Sequence, residues 1–367
     1  MNTSHSSSKR LWIPLVVGVL SLIVWVSVLG LGEGKHSTLA RTLTQWDGQH
    51  YLSIADSGYE KFPCDYNPAY ICGNVGWFPF YPLLGGILGA IGIPVNWAMI
   101  AISWLAFLAA FMVLYELVAR RWNDRVALGT LVALVLFPSS FYFATVFPYS
   151  VLLLLSVLAL RSFDRKDYRL LPLWTGLMAV TYPSGIVIGL PVLWVLISRW
   201  SRIAEKDRYL LGGSLASIGV TLFMYCSYYW YRFGDFFLYL NFQSQSYYAH
   251  EAAFPLWTIF ETLTTHPTYS PVPMMLLFVT GVVVLFYRRA MPATWLLLMF
   301  AFLLFTPTMG TCDCYYRHIV VAFPLAVMVA LCIEENRRRW LLPLYAAGAI
   351  YMTYWLYLPA FRMGQLM

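Results

Sequence analysis

Runs of about twenty residues without a single charge recur along this chain, and they constrain its fold more than any other feature. Residues 11 to 32 (LWIPLVVGVLSLIVWVSVLGLG) are one such run. Bilayer hydrocarbon offers no water to an exposed backbone, so a crossing segment must close its own hydrogen bonds as a helix of about 20 apolar residues. Composition agrees: 60% of the 367 residues are hydrophobic and only 11% are charged, against about 25% charged in a soluble domain. A soluble enzyme, a disordered tail and a small disulfide scaffold are excluded. The expectation is an all-α, polytopic transmembrane helical bundle forming a single domain over 1–367.

Candidate spans fall at 11–32, 98–119, 126–144, 146–162, 209–231, 272–287, 294–310, 318–333 and 341–360. The first is too long for a signal-peptide core and lacks a cleavage site, so it reads as a retained anchor. The stretch 170–198 is interrupted by Tyr182-Pro183-Ser184-Gly185 and reads as a hairpin crossing twice. The stretch 78–93, with two prolines and four glycines, lies in the interface or re-enters. This arrangement of about 11 spans satisfies the positive-inside rule. The cytoplasmic segments 9–10, 120–125, 161–169, 199–208, 288–289 and 337–339 then carry 18 of the 24 basic residues. Lys35, Arg41, Lys61, Arg232, Arg317 and Arg362 remain outside. The N-terminus is cytoplasmic and the C-terminus outer. The net charge of +7 thus marks orientation. No basic stripe interleaved with glycine or aromatics points to nucleic acid as a partner, and membrane lipids are the surroundings. Glu116, inside a span, is expected to snorkel toward its inner end.

Two long segments face outward, a first outer loop at 33–97 with interfacial helices and a second at 232–271. With the short turn 311–317 they hold nine of the 17 acidic residues. Loops on a rigid scaffold are where chemistry concentrates. The first loop contains Cys64 and Cys72, and the last turn contains Cys312 and Cys314. A Cys64–Cys72 bridge would close a nine-residue loop in an oxidising compartment. A Cys312–Cys314 bridge would be tighter, and cross-pairing between the two loops stays open. The spacing lacks the paired CxxC arrangement of a zinc site. No internal repeat of the kind found in inverted-repeat transporters is visible.

The most patterned stretch is Gln45 to Tyr59 (QWDGQHYLSIADSGY). Trp46, Asp47, His50, Tyr51 and Ile54 recur at helical spacing, so they share one face of a short helix. Gly58 suits its C-terminal left-handed position. The helix is too polar to span and amphipathic enough to lie along the outer interface. Asp47 then sits where a general base would meet a lipid-borne substrate. A competing reading makes Thr44-x-x-Asp47 a capping box, with Asp47 satisfying a helix N-terminus.

The run Trp46-Asp47-Gly48 through Tyr51, Ile54, Ala55, Gly58 and Tyr59, followed by Phe78-Pro79-Phe80-Tyr81-Pro82-Leu83, resembles the PIG-V family. These are GPI mannosyltransferase II enzymes and their prokaryotic relatives, within the GT-C superfamily. Phe147-Pro148-Tyr149-Ser150, Tyr231-Arg232-Phe233-Gly234-Asp235 with Gln243, and Tyr316-Arg317-His318 with Phe323-Pro324 resemble it in the same order. The resemblance implies a GT-C-type fold and transfer of mannose, or a related hexose, from a polyprenyl-phosphate sugar to an extracytoplasmic lipid or glycan acceptor. It carries the role of the acidic residue in the first outer loop to Asp47. Two positions depart from the pattern: Val151 stands where members commonly have an acid, and Tyr182 where they often have arginine. For a eukaryotic member 367 residues is short, so the expected location is a bacterial plasma membrane, or the endoplasmic reticulum if the source is eukaryotic.

The residues suit that chemistry. Phosphate is already a good leaving group, so the enzyme must deprotonate the acceptor and stabilise departing charge. Asp47 is the expected base. Arg317, a scarce outer cation, is expected to bind the donor phosphate with His318, its guanidinium offering two parallel N–H donors. Its bland alternatives are an interfacial anchor or a partner for Asp313. Trp46, His50, Tyr51, Gln243 and Gln245 are the expected substrate-binding residues; Gln243, Gln245 and His250 fall in an aromatic, polar segment that suits a lid. A single displacement implies inversion at the anomeric carbon. No DxD-type pair is present, so neither a metal nor another cofactor is expected. Two rivals remain: a lipid or sugar transporter, and a non-catalytic subunit of a glycan-assembly complex, which would add a partner subunit.

Overall fold

The computed structural model describes residues 4–31, 38–245, 250–265, 291–312, 314–335 and 341–363. In chain order the helices are α1 (Ser4–Gly30), α2 (Leu39–Leu43), α3 (Asp47–Ser57), α4 (Phe80–Ala90), α5 (Val95–Arg121), α6 (Asp124–Val135), α7 (Tyr149–Arg165), α8 (Leu171–Thr181), α9 (Gly189–Ser198), α10 (Glu205–Phe233), α11 (Leu238–Gln243), α12 (Pro255–Thr265), α13 (Ala293–Thr308), α14 (Tyr315–His318), α15 (Pro324–Glu335), α16 (Leu341–Met352) and α17 (Leu358–Met363). The protein is mostly helical. The central helix α5 packs against α1, α4, α6 and α7, while α10 covers α8 and α9.

Among the described residues, three helices are long and apolar enough to cross a membrane: Trp12–Gly30 within α1, Val95–Arg121 and Glu205–Phe233. A fourth arises if Tyr315–Val321 and Pro324–Glu334, bent by 73° at their junction, form one broken span. The helices Leu171–Thr181, Pro183–Ser198 and Ala293–Thr308 are apolar but shorter. The expected span 272–287 lies outside the described residues, as do the basic clusters at 288–289 and 337–339, Lys35 and Asp313.

The expected span 126–144 is not one helix. The α6 helix begins where the Asn123 side chain accepts a hydrogen bond from Val126 N at 2.9 Å, a standard N-cap. It stops at Val135, because Pro138 follows and cannot donate to a helical ladder. The chain resumes as a buried 3₁₀ turn, Ser140–Ala144, and α7 starts only after Pro148. Likewise α8 ends at Tyr182, whose backbone is extended before Pro183, as the residue preceding a proline prefers. The expected 78–93 segment is the short helix α4, packed on α3 and α5.

The all-α expectation needs one correction. Strands β1 (Lys61–Cys64) and β2 (Asn67–Gly73) pair antiparallel, with Phe62 opposite Cys72. A Cys64–Cys72 disulfide joins them, and Cys312 and Cys314 are buried thiols. The hairpin is clamped from outside: Gln245 accepts from Ile71 N and donates to Ile71 O and Phe242 O. Glu116 lies in the last two turns of α5, 2.6 Å from Arg120 and 3.0 Å from Arg165.

The break after α8 presses directly on that helix. A methyl group at Gly185 would lie 1.9 Å from Met178 O, whereas one at Gly219 in α10 would meet nothing within 4 Å. Overpacking of this kind typically costs about 1–3 kcal/mol or more. Gly185→Ala should therefore lower the thermal midpoint and the yield of monodisperse protein. Gly219→Ala should leave the midpoint unchanged or raise it, since alanine favours helix by up to about 1 kcal/mol. Equal midpoints for the two variants would contradict the packing described.

Candidate functional site

The segment 139–149 is the frame on which two distant parts of the chain meet. Val146 N donates to Leu43 O at 2.8 Å, fastening α2 beside it. A side chain at Gly48 would come within 2.9 Å of Val146 O, so α3 lies directly on the same segment. From the other side, Ser139 Oγ donates to Tyr316 O at 2.6 Å, and Tyr142 Oη lies 3.4 Å from Tyr316 Oη. Asp47, at the start of α3, is thereby carried to Arg317 in α14. One guanidinium nitrogen lies 2.9 Å from Asp47 Oδ2.

Each of these residues directly or closely follows a non-glycine residue at positive φ, Trp46 at 57° and Cys314 at 54°. Such backbone is uncommon and concentrates where structure holds a side chain for a task. Trp46 is held in place by Nε1 donating to Phe361 O at 2.9 Å. Two expectations change here. Trp46 caps the helix and does not share its face, while Asp47, His50, Tyr51 and Ile54 do. The capping-box reading fails, because Thr44 Oγ1 donates to Ala40 O at 2.7 Å and α3 has no side-chain cap. Gly58 has positive φ (83°) but ψ of −169°, which is not the left-handed helical position expected.

The pair borders a cavity of about 170 Å³ whose walls also include Tyr51, Trp77, Tyr182, Gln243, His250 and His318. Arg317 is 8% exposed, and among the described residues its Nε–H has no hydrogen-bond partner. Buried donors are nearly always satisfied, so an orphan on a cavity wall is a place for an acceptor to arrive. The guanidinium also stands 5.8 Å from the centre of the Phe147 ring. His318 Nδ1 lies 2.6 Å from Tyr182 Oη and 3.5 Å from Tyr149 Oη. His250 Nδ1 donates to Gln243 Oε1 at 2.8 Å, and Gln243 Nε2 donates to Gly76 O at 3.2 Å.

Of the expected site residues, Asp47, Tyr51, Gln243, Arg317 and His318 line one cavity. His50 stacks on Trp77 with ring centres 3.6 Å apart and faces a neighbouring cleft instead. Gln245 faces that cleft as well, with its amide engaged on the hairpin. Trp77 carries no expectation from the sequence, and Tyr182 none beyond a lost charge near the presumed pocket, yet both line the cavity. Trp77 directly precedes the Phe78-Pro79 motif, and Tyr182 occupies a position noted only for lacking a charge. Among the described residues, no group of three or more His, Cys, Asp or Glu side chains is placed to hold a metal. Comparison with protein-family models and with curated proteins returns no match.

Removing one partner of a fully buried ion pair leaves the other uncompensated at a cost of about 3–5 kcal/mol, and the cost is smaller here because Asp47 is half-buried. Asp47→Asn and Arg317→Gln should each lower the thermal midpoint, and the double variant should recover part of the loss. Strict additivity in that cycle would show that the two side chains do not interact.

Burial holds the His50 imidazole below its ordinary value of 6.5, although Asp47 pulls the other way. Between the folded value and 6.5 the unfolded chain binds a proton that the folded chain does not. Stability must therefore fall as pH is lowered through that window. His50→Gln should flatten this part of the midpoint-versus-pH curve between pH 7 and 5. A curve identical to wild type would refute the assignment.

Proposed function

We propose that this protein is a multi-pass membrane glycosyltransferase of GT-C type, moving mannose or a related hexose from a polyprenyl-phosphate sugar to an extracytoplasmic acceptor. The observation that carries the reading is the Asp47–Arg317 pair: a carboxylate and a buried guanidinium on one cavity, the guanidinium still holding an unused N–H. The resemblance of Trp46–Tyr59 to the PIG-V family supports the same choice. So do the apolar helices, which in this reading belong to a bundle of about 11 spans. Its N-terminus is cytoplasmic and its site lies on the outer face of a bacterial plasma membrane.

In the proposed reaction the donor phosphate binds Arg317 through Nε–H and a terminal N–H, the geometry in which guanidinium grips phosphate best. The phosphate then competes with Asp47 for that side chain and loosens the ion pair. The acceptor hydroxyl oxygen attacks the anomeric carbon while its proton passes to Asp47. The bond from that carbon to the phosphate oxygen breaks, and polyprenyl phosphate leaves with the electron pair. His318, held by Tyr182 and Tyr149, borders the leaving group as a further donor. One displacement inverts the anomeric configuration.

Purified protein given radiolabelled polyprenyl-phosphate mannose and a membrane lipid extract should transfer the label. A positioned general base contributes about 10²–10⁴-fold, so Asp47→Asn should lose at least about 100-fold in rate. The comparison is made well below that variant's midpoint and normalised to folded protein. Arg317→Lys should raise the donor KM, since lysine lacks the planar fork. Full activity of Asp47→Asn would sink the base assignment. Absence of transfer from any lipid-linked sugar would favour a transporter or a non-catalytic subunit.

A further inference from the structure

Beside the ion-pair cavity, and sharing the His50–Trp77 stack as a wall, lies a second and larger cleft of about 470 Å³. It is lined by His50, Ser53, Glu60, Phe62, Tyr66 and Tyr70 among others. Two of its aromatic rings are displayed outward, Phe62 at 50% and Tyr66 at 69% exposure. Tyr66 and Tyr70 stand 6.0 Å apart, centre to centre. Exposed aromatic rings grouped on one polar hairpin need an explanation beyond packing.

The frame of the cleft is fixed independently of those rings. Asn74 Oδ1 accepts from Glu60 N at 2.8 Å, and its Nδ2 donates to Ser53 Oγ at 3.1 Å and Gly58 O at 3.0 Å. A Cβ at Gly73, where φ is 117°, would lie 2.1 Å from Glu60 O. With the disulfide and the Gln245 clamp, these contacts make a rigid cradle. Its inward polar groups are an exposed carboxylate at Glu60, the Ser53 hydroxyl and the His50 imidazole. Rings that present a flat apolar face, beside a few fixed polar groups, suit a ligand with an apolar face and a hydroxylated rim. A pyranose has that form, whereas a lipid chain would leave Glu60 and His50 facing hydrocarbon.

We infer that this cleft binds a saccharide and holds a sugar ring of the acceptor while its reacting hydroxyl is presented to the Asp47 cavity. The acceptor role rests on the transfer proposed above; saccharide binding by the cleft does not. The acceptor class that follows is a glycan or glycolipid carrying at least one further sugar, and a bare polyprenol or diacylglycerol is excluded.

Full-length protein in nanodiscs is tested by saturation-transfer NMR with methyl α-mannoside and mannobiose, with empty nanodiscs as background. Wild type and Asp47→Asn should both give ligand signals. Phe62→Ala/Tyr66→Ala and Glu60→Gln should each reduce them by at least about fivefold, a loss of roughly 1 kcal/mol. These side chains are exposed, so their truncation leaves the thermal midpoint in place. Equal signals in wild type and the Phe62/Tyr66 variant, or none in wild type, would overturn the inference while leaving the transfer assay to stand alone. Insertion of the hairpin into the bilayer, seen as broadening of the Phe62 and Tyr66 resonances by a lipid-borne spin label with no change in sugar signal when they are truncated, would overturn it too. Cleft-dependent sugar binding without transfer from any lipid-linked donor would overturn the acceptor role and, separately, the transferase reading.

Discussion

A single ion pair, Asp47 with Arg317, ties together parts of the chain that are otherwise far apart in sequence. Taking a carboxylate and a guanidinium out of water costs several kcal/mol each, and their attraction offsets this only with good geometry. The surrounding structure supplies that geometry. Residues 139–149 hold α2 and α3 through Leu43 and Gly48 on one side, and hold α14 through Tyr316 on the other. The breaks at Pro138 and Pro148 that deny this stretch a continuous helix are what make it a frame. A straight helix would satisfy its own carbonyls and leave fewer polar groups to fasten its neighbours.

The local parts of the site were legible and the long-range ones were not. Helical spacing alone put Asp47, His50, Tyr51 and Ile54 on one face, because period-3.6 geometry is a property of the segment itself. It failed at Trp46, whose backbone turns to φ of 57°, a conformation no spacing rule signals for a bulky residue. Thr44 illustrates the same limit. Three residues before Asp47 it has the form of a capping box, yet its hydroxyl turns back to Ala40 and leaves the carboxylate for Arg317. Arg317 stands out in the sequence as a scarce outer cation, with an interfacial anchor or a partner for Asp313 as its alternatives, but nothing local points to its ion pair with Asp47. Tertiary contact across the whole chain cannot be read from local pattern. Tyr182 was weighed only for the charge it lacks, whereas its hydroxyl lies 2.6 Å from His318.

The β-hairpin was missed for a related reason. Its strands are short, carry Pro63 and Pro68, and alternate poorly, so propensity says little. What fixes them is not strand propensity but the Cys64–Cys72 bond, the Asn74 side chain and, from far along the chain, the Gln245 amide. The helices show the converse. Apolar runs identified their existence correctly, while prolines inside those runs moved their ends, so that the described helices meeting the length of a membrane crossing number three, or four with the bent pair.

The two ends of the bundle handle charge differently, and the difference bears on function. Around Glu116, Arg120, Arg161 and Arg165 form a half-exposed cluster, in which each contact contributes about 0–1 kcal/mol and exchanges readily with water. Such a cluster suits a boundary with solvent and places no demand on exact geometry. At Arg317 the same kind of guanidinium is 8% exposed and faces the Phe147 ring. Apolar residues of similar volume would commonly serve stability as well or better. In the transfer proposed above, a charge kept at that cost, with one N–H unmet among the described residues beside a cavity, serves an anion that arrives and leaves. Buried tyrosine hydroxyls around it can donate hydrogen bonds without adding opposing charge, so an entering phosphate would find donors already oriented and only Asp47 to displace.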